Sequence, residues 1–252
     1  MILLKSREEI ELMRVANGIV AEVLAEVRSH VRAGVTTAEL DAVAEELTRK
    51  RGARPAFKGY TVGGRMFPAS ICISINDEVV HGIPSRRALE PGDIVGLDFG
   101  VCYRGYFGDA AMTVPVGRVS TEAERLMSVT RAALAAGIDA IRAGAHVGDI
   151  SAAIQDTAEG AGYSVVREFV GHGIGRGLHE DPQVPNYRTG ARGVRLKEGL
   201  VLAIEPMINA GQPEIYVKDD GWTAATRDGR LSAHFEHSVA VTAEGPYILS
   251  VP

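Results

Sequence analysis

The chain has 252 residues, 46% apolar and 23% charged, with 27 basic against 32 acidic side chains and a net charge of −5. A chain of this size and composition can bury a core without a disulfide or a metal merely to fold, and its acidic balance argues against a nucleic-acid surface. Two cysteines outside any CxxC, Cys72 and Cys102, exclude a disulfide framework and fit a reducing compartment. The start MILLKSREEI is neither a signal peptide nor a membrane span, so a cytoplasmic protein is expected.

Ser6-Arg7-Glu8-Glu9 has the form of a capping box, and Leu12, Ala16, Ile19, Val23 and Val27 follow at helical spacing. Thr36-Thr37-Ala38-Glu39 offers a second box, with Leu40, Val43 and Leu47 behind it and Gly52 as a stop. Strand patterns then dominate over 71–75, 93–102 and 110–116. Helical stretches return near 121–142 and 148–159. The remainder reads as strands over 164–170, 199–208, 214–218, 222–226 and 231–242. A polar loop is expected from Glu180 to Glu198, long enough to suggest a functional role. Its cations Arg188, Arg192, Arg195 and Lys197 read as a solvated face.

Helices, strands, helices, strands is the order of a duplication. Val31-Arg-Ala-Gly34 resembles Ile141-Arg-Ala-Gly144, His81-Gly-Ile83 resembles His172-Gly-Ile174, and Pro91–Asp98 parallels Glu198–Glu205. These matches run in the same order, offset by roughly 91 to 110 residues. They predict one α+β domain over 1–252, with halves of about 1–120 and 121–252, a shared central sheet and a site at the junction.

Four acids stand in or beside apolar strands. Asp98 follows Ile94-Val-Gly-Leu97, and Glu205 follows Leu200-Val-Leu-Ala-Ile204. Asp109 lies eleven residues after Asp98, across glycines that allow a hairpin return. Glu236 shares a strand face with Ser232 and His234 by alternation. Ionised carboxylates in an apolar sheet are costly unless paired or metal-bound. Four of them with His172 (in Gly171-His-Gly-Ile-Gly-Arg-Gly177) carry −4, which two divalent ions would balance. Such ions sit about 3.5–4 Å apart in two-metal hydrolases. Thiolate zinc is excluded by the isolated cysteines, and the donor set fits Mn, Co, Fe or Zn without choosing among them. A nucleotide reading of the glycine run fails, because Arg176 and Leu178 stand where GxGxxG needs glycine.

These residues carry a family resemblance. Asp98, Asp109, His172, Glu205 and Glu236, within NDEVVHGIP (76–84), GHGIGRGLHEDPQVP (171–185), AIEPMI (203–208) and LSAHFEHSVAVT (231–242), resemble the metal-binding pentad of the methionine aminopeptidases in their type I bacterial form. The resemblance covers nearly the whole chain. It implies the pita-bread fold, an α/β (α+β) sandwich with pseudo-twofold halves around a mostly antiparallel sheet. It implies two divalent ions: Asp98 and Asp109 on the first, His172 and Glu205 on the second, with Asp109 and Glu236 bridging. The nucleophile would be a hydroxide between the ions, with Glu205 as proton shuttle. His179 would stabilise the oxyanion and His81 contact the scissile amide nitrogen. Tyr60, Phe67, Cys72 and Trp222 would line the methionine pocket. The implied activity is removal of the initiator methionine from nascent chains, with small second residues preferred. A monomer meeting its substrates at the ribosome, with no membrane or nucleic-acid partner, is expected.

Leu178 stands where that family often has an aromatic pocket residue, Gly100 replaces a hydroxyl residue after the first aspartate, and 61–67 is a few residues longer than usual. These departures bear on pocket shape and metal affinity and leave the pentad intact. His30 and His146 are expected in solvent near helix ends, His234 at the rim of the site, and His237 in a second layer or the core; none is assigned to catalysis. The competing readings are an Xaa-Pro peptidase, whose relatives carry a further N-terminal domain, a binding protein on the same scaffold that has lost ligands, and a buried ionic network without metal.

Overall fold

The computed structural model describes residues 2–251. Two helices open the chain, α1 (Arg7–His30) and α2 (Thr37–Lys50). Strands follow as β1 (Arg54–Pro55), β2 (Thr61–Val62), β3 (Arg65–Met66), β4 (Cys72–Ile75), β5 (Glu78–Val80), β6 (Ile94–Tyr103) and β7 (Tyr106–Pro115). A second helix pair, α3 (Thr121–Asp139) and α4 (Val147–Gly160), precedes β8 (Ser164–Val165), β9 (Gly171–Gly173), β10 (Glu180–Val184), β11 (Val201–Ile204) and β12 (Met207–Asn209). The last are β13 (Ile215–Val217), β14 (Ala224–Thr226), β15 (Ser232–His234), β16 (Glu236–Thr242) and β17 (Gly245–Ile248).

Both capping boxes form: Ser6 and Thr36 accept from the Glu9 and Glu39 amides, and each glutamate accepts from its cap's own N–H. The main sheet has nine antiparallel strands, in the order β1-β6-β7-β16-β11-β9-β10, with β4 also on β6 and β17 on β16. Its middle is the β7–β16 pair, where Asp109's neighbour Ala110 faces His237 and Ala111 faces Glu236. Either side of that seam repeats one plan: β6 beside β7, β11 beside β16, then β4 or β9 beyond.

The two helix pairs cover one face of the sheet. Leu97, Phe99 and Val101 of β6 pack against α1 and α2 residues such as Val20, Leu24 and Leu40. Leu202 and Ile204 of β11 join Val239 and Val241 of β16 in a core with Leu134, Ile150 and Ile154. Strand alternation therefore sends Asp98 and Asp109, and likewise Glu236, to the opposite face. Among the described residues no helix is long and apolar enough to cross a membrane.

Several expectations need correction. The run 199–208 is two strands, β11 and β12, which lie in different sheets, and of 164–170 only Ser164–Val165 is a strand. The run 231–242 is two strands, because β15 ends at His234 and pairs with β12 in a separate sheet while β16 begins at Glu236. The expected loop from Glu180 starts instead with β10, paired to β9. The His81-Gly-Ile and His172-Gly-Ile matches are not equivalent places: His172 lies on β9 in the main sheet, whereas His81 follows β5, which pairs with β14. The four loop cations are exposed as expected, with Arg188 paired to Asp156.

Helix α1 crosses β7 at Gly108, where a Cβ would lie 2.8 Å from the Asn17 nitrogen and 2.9 Å from the Ala16 carbonyl carbon. Gly108→Ala is expected to lower the unfolding free energy by about 1–3 kcal/mol through overpacking, read as a lower urea midpoint. Equal midpoints for the two proteins would mean that α1 yields freely at this crossing.

Candidate metal and catalytic site

The β6–β7 hairpin sets Gly100 opposite Asp109 and Asp98 opposite Ala111, so the two aspartates are diagonal neighbours on one face. Asn17 fixes the β7 partner. Its carboxamide oxygen accepts from the Asp109 N–H at 3.2 Å, and its nitrogen donates to the Met13 carbonyl at 2.9 Å. Ser238 donates to the Asp109 carbonyl at 2.8 Å, tying β16 to the same point. Glu205 caps β11 just before Pro206, and Glu236 opens β16 beside Ala111. His172 enters from β9, opposite Ala203.

The five expected side chains converge. Single ligand atoms of Asp109, His172 and Glu236 all lie within 4.8 Å of one another. His172 Nε2 is 3.5 Å from Glu205 Oε1. Its Nδ1 is bonded to the Gly173 carbonyl at 2.9 Å, which places the proton on Nδ1 and leaves the Nε2 lone pair facing the acids.

A sixth group joins them. His234 is buried inside the site, not at its rim, with Nε2 3.6 Å from Glu205 Oε2. Thr113 holds its backbone on both sides, accepting from the His234 N–H and donating to its carbonyl, each at 2.9 Å. Alternation within 231–242 put it on Glu236's face, and that was the available signal for it.

Buried atoms Asp98 Oδ1, Asp109 Oδ1, Glu236 Oε1 and His234 Nε2 have no hydrogen-bond partner. Four orphaned polar atoms converging on one spot are rare in folded proteins. Burial raises all four carboxyls: Asp98 to about 7, Glu205 to about 8, and Asp109 and Glu236 well above the usual range, the last two pushed further by neighbouring carboxylates. Burial takes the His172 imidazole down to about 3 and His81 to about 4. Oxygen donors without hydrogen-bond partners, beside a neutral imidazole, suit divalent cations.

A cavity of about 800 Å³ opens onto these groups. Tyr60, Phe67, Cys72 and Trp222 all line it, as do His81 and His179. The Phe67 and Trp222 rings meet edge to face at 5.3 Å. Cys72 stands directly opposite Asp98 on β4, and burial with nearby carboxylates raises its thiol pKa well above the ordinary value. His81 has a left-handed backbone, φ +62°, and its ring sits edge-on to Phe169 at 5.0 Å and Trp222 at 6.5 Å. A non-glycine residue at positive φ is uncommon, though histidine tolerates it better than most, and such residues cluster at functional positions. Phe169 and Met207 also line the cavity. Both lay within runs read as ordinary strand, and nothing local distinguished them.

His179 sits 4.4 Å from His172 between ring centres, and the Tyr60 hydroxyl meets its Nδ1 at 2.8 Å. The glycine loop carrying it is anchored by the next residue. Glu180 accepts from the Gly177 N–H at 2.9 Å and from Lys5 Nζ at 2.5 Å, in an ion pair almost closed to water. Gly175 lets this pair pack close, since a Cβ would fall 2.3 Å from Lys5 Cε and the lysine would have to shift. Gly100 is less tightly confined: a Cβ would come within 3.1 Å of Asp109 Oδ1. Of the remaining histidines, His237 bonds Ser250 at 2.8 Å in the second layer, while His30 and His146 are half-buried, not fully in solvent.

Residues 11–243 match the model of Metallopeptidase family M24. A "Methionine aminopeptidase" of Clostridium perfringens is 50% identical over 251 residues, covering 100% of this chain and 99% of that protein. The crystal structure of a methionine aminopeptidase from Thermotoga maritima superposes with a TM-score of 0.96 at 45% identity, over 100% of both chains. A prolidase from Pyrococcus furiosus shares the fold at a TM-score of 0.80 and 24% identity, and this chain covers 65% of its length.

The pKa shifts set a pH dependence for the metal-free protein. Carboxyls raised in the fold favour folding when protonated, so their contribution is lost as pH rises toward 8. Histidines depressed in the fold act oppositely, and only below their unfolded value of about 6.5. From pH 7.5 to 8.5 the unfolded histidines are already neutral and only the carboxyl effect operates. The apo-protein's melting temperature is therefore expected to fall over that interval, and saturating Mn²⁺ to abolish the fall. A flat apo profile would show that these acids are not crowded together in solution.

Proposed function

The chain belongs to metallopeptidase family M24 and within it to the methionine aminopeptidases, and from that footing we propose that Asp98, Asp109, His172, Glu205 and Glu236 hold the family's two divalent ions. The enzyme is a metalloexopeptidase that removes N-terminal methionine. The observation carrying the ligand assignment is the convergence of orphaned acid oxygens around an imidazole with a free Nε2. Asp109 and Glu236, each within reach of His172, would hold the ions together with Glu205, which also meets His172, and Asp98. Bound there, divalent ions supply an acidified water and a polarised carbonyl.

The side chains divide the remaining work. Glu205, between the His172 and His234 imidazoles, takes the proton of the attacking water and returns it to the leaving amine. His179 is neutral, because burial lowers its pKa. With the Tyr60 hydroxyl donating to Nδ1, its Nε2–H is free to donate to the carbonyl oxygen as negative charge develops. His81, held at positive φ against Phe169 and Trp222, contacts the scissile amide nitrogen. Tyr60, Phe67, Cys72 and Trp222 receive the methionine side chain, and residues with small side chains are preferred second. An apolar pocket separates one methylene by about 1–3 kcal/mol, so exclusion of leucine is partial. The two halves form one catalytic domain acting as a monomer in the cytoplasm, on nascent chains at the ribosome.

The discriminating assay offers Met-Ala-Ser, Met-Leu-Ser and Ala-Pro, with Mn²⁺ or Co²⁺ and then with chelator. Met-Ala-Ser should be cleaved fastest and chelation should stop it; rapid Ala-Pro hydrolysis beside inert Met-Ala-Ser would overturn the substrate assignment. His179→Ala is expected to keep its metal content and lose on the order of 10²-fold in kcat, the usual cost of removing an oxyanion donor. Unchanged kcat would remove that role.

A further inference from the structure

We propose that the β2–β3 hairpin is a specificity element: with Val62 on one bank and Val217 on the other, it forms an apolar subsite for the side chain of the substrate's third residue. This rests on the aminopeptidase reading above. The segment is the part of the chain longer than its family resemblance leads one to expect, and no catalytic role uses it.

The hairpin is well built for its size. Gly63 and Gly64 have φ +56° and +80°, the left-handed pair a two-residue turn needs to match the twist of its strands. Its base is closed by the Phe67 N–H donating to the Tyr60 carbonyl at 2.8 Å and the Gly59 N–H to the Phe67 carbonyl at 2.9 Å. An isolated two-stranded hairpin is marginal in water. This one is rooted in the cavity wall, because Tyr60 bonds His179 and Phe67 packs on Trp222. The strands therefore extend that wall outward.

Cross-strand pairing decides which side faces the cavity. Val62 opposes Arg65 and Thr61 opposes Met66, so Val62 and Arg65 share a face. Val62 lines the cavity mouth, and Arg65 reaches across to Gly221 on the far bank, where any Cβ would fall 1.5 Å from its Nη1. Val217 lines that far bank. Val62 and Val217 are 56% and 51% exposed, apolar surface beside a peptide-binding cavity with nothing yet covering it.

An extended peptide alternates its side chains, so residues one and three point to the same side, about 7 Å apart. If the first side chain enters between Tyr60, Phe67 and Trp222, the third emerges along the same wall one step further out. That is where the hairpin carries Val62. The second residue points the other way, so its size limit is set elsewhere.

The test compares kcat/KM for Met-Ala-Leu-Ser and Met-Ala-Ser-Ser with the metal-loaded enzyme. The leucine peptide should be favoured about five-fold, through KM, as partial burial of one aliphatic side chain provides. Val62→Ser should bring that ratio to between one and two. Met66→Ser, on the outer face of the same hairpin, should keep the wild-type ratio, and melting temperatures of both variants should match the parent's. A wild-type ratio near one, or a preference that survives Val62→Ser, overturns the proposal. Failure to cleave either peptide would instead overturn the aminopeptidase reading, and this subsite with it.

Discussion

Four carboxylates gathered in one buried pocket cannot all keep their charge unaided. Each raises the free energy of ionising the next, and burial removes the water that would have screened them. Protons can relieve the conflict, and the raised pKa values of Asp98, Asp109, Glu205 and Glu236 describe that outcome for the bare protein. Divalent ions relieve it differently, by supplying compensating charge while leaving the oxygens as ligands. Much of the surrounding architecture holds these acids in place against their mutual repulsion.

The sheet does this by separating its faces. Helices bury the aliphatic side, and glycine and alanine leave room on the acid side, with Gly96, Gly100 and Ala111 flanking the aspartates. Each half of the sheet contributes two acids, and the β7–β16 seam brings them together. Buried polar contacts then fix individual backbones: Asn17 on Asp109, Ser238 across the seam, Thr113 on His234. The most distant of these supports is the Lys5–Glu180 pair, which ties the chain's first residues to the loop bearing His179. Breaking one side of so enclosed a pair leaves an uncompensated charge, so the loop has little freedom to drift.

The legible parts of the sequence were those in which chemistry and period agree locally. Both capping boxes lie within four residues, and the hairpin strands β6 and β7 are long and largely buried runs of ten residues each. The four acids stood out because charge in an apolar strand is costly, and His172 joined them through its glycine-flanked motif. Strands of two or three residues, such as β1, β2, β3 and β5, carry no measurable period, and tertiary pairing decides them. The break at Phe235 was hidden because alternation continues through it while the hydrogen bonds change sheets. That same break drew His234 inward. The His81 and His172 likeness misled because three identical residues can recur without sharing a place in the fold.

The acids are strung far apart along the chain, from Asp98 and Asp109 on one hairpin to Glu236 on β16. During synthesis the first pair can form early, but the proposed centre needs acids from both hairpin and seam. A ribosome must release the chain through β16 before the last carboxylate can dock at the seam. Translation order thus acts as a safety catch, and hydrolytic power arrives together with the finished sheet.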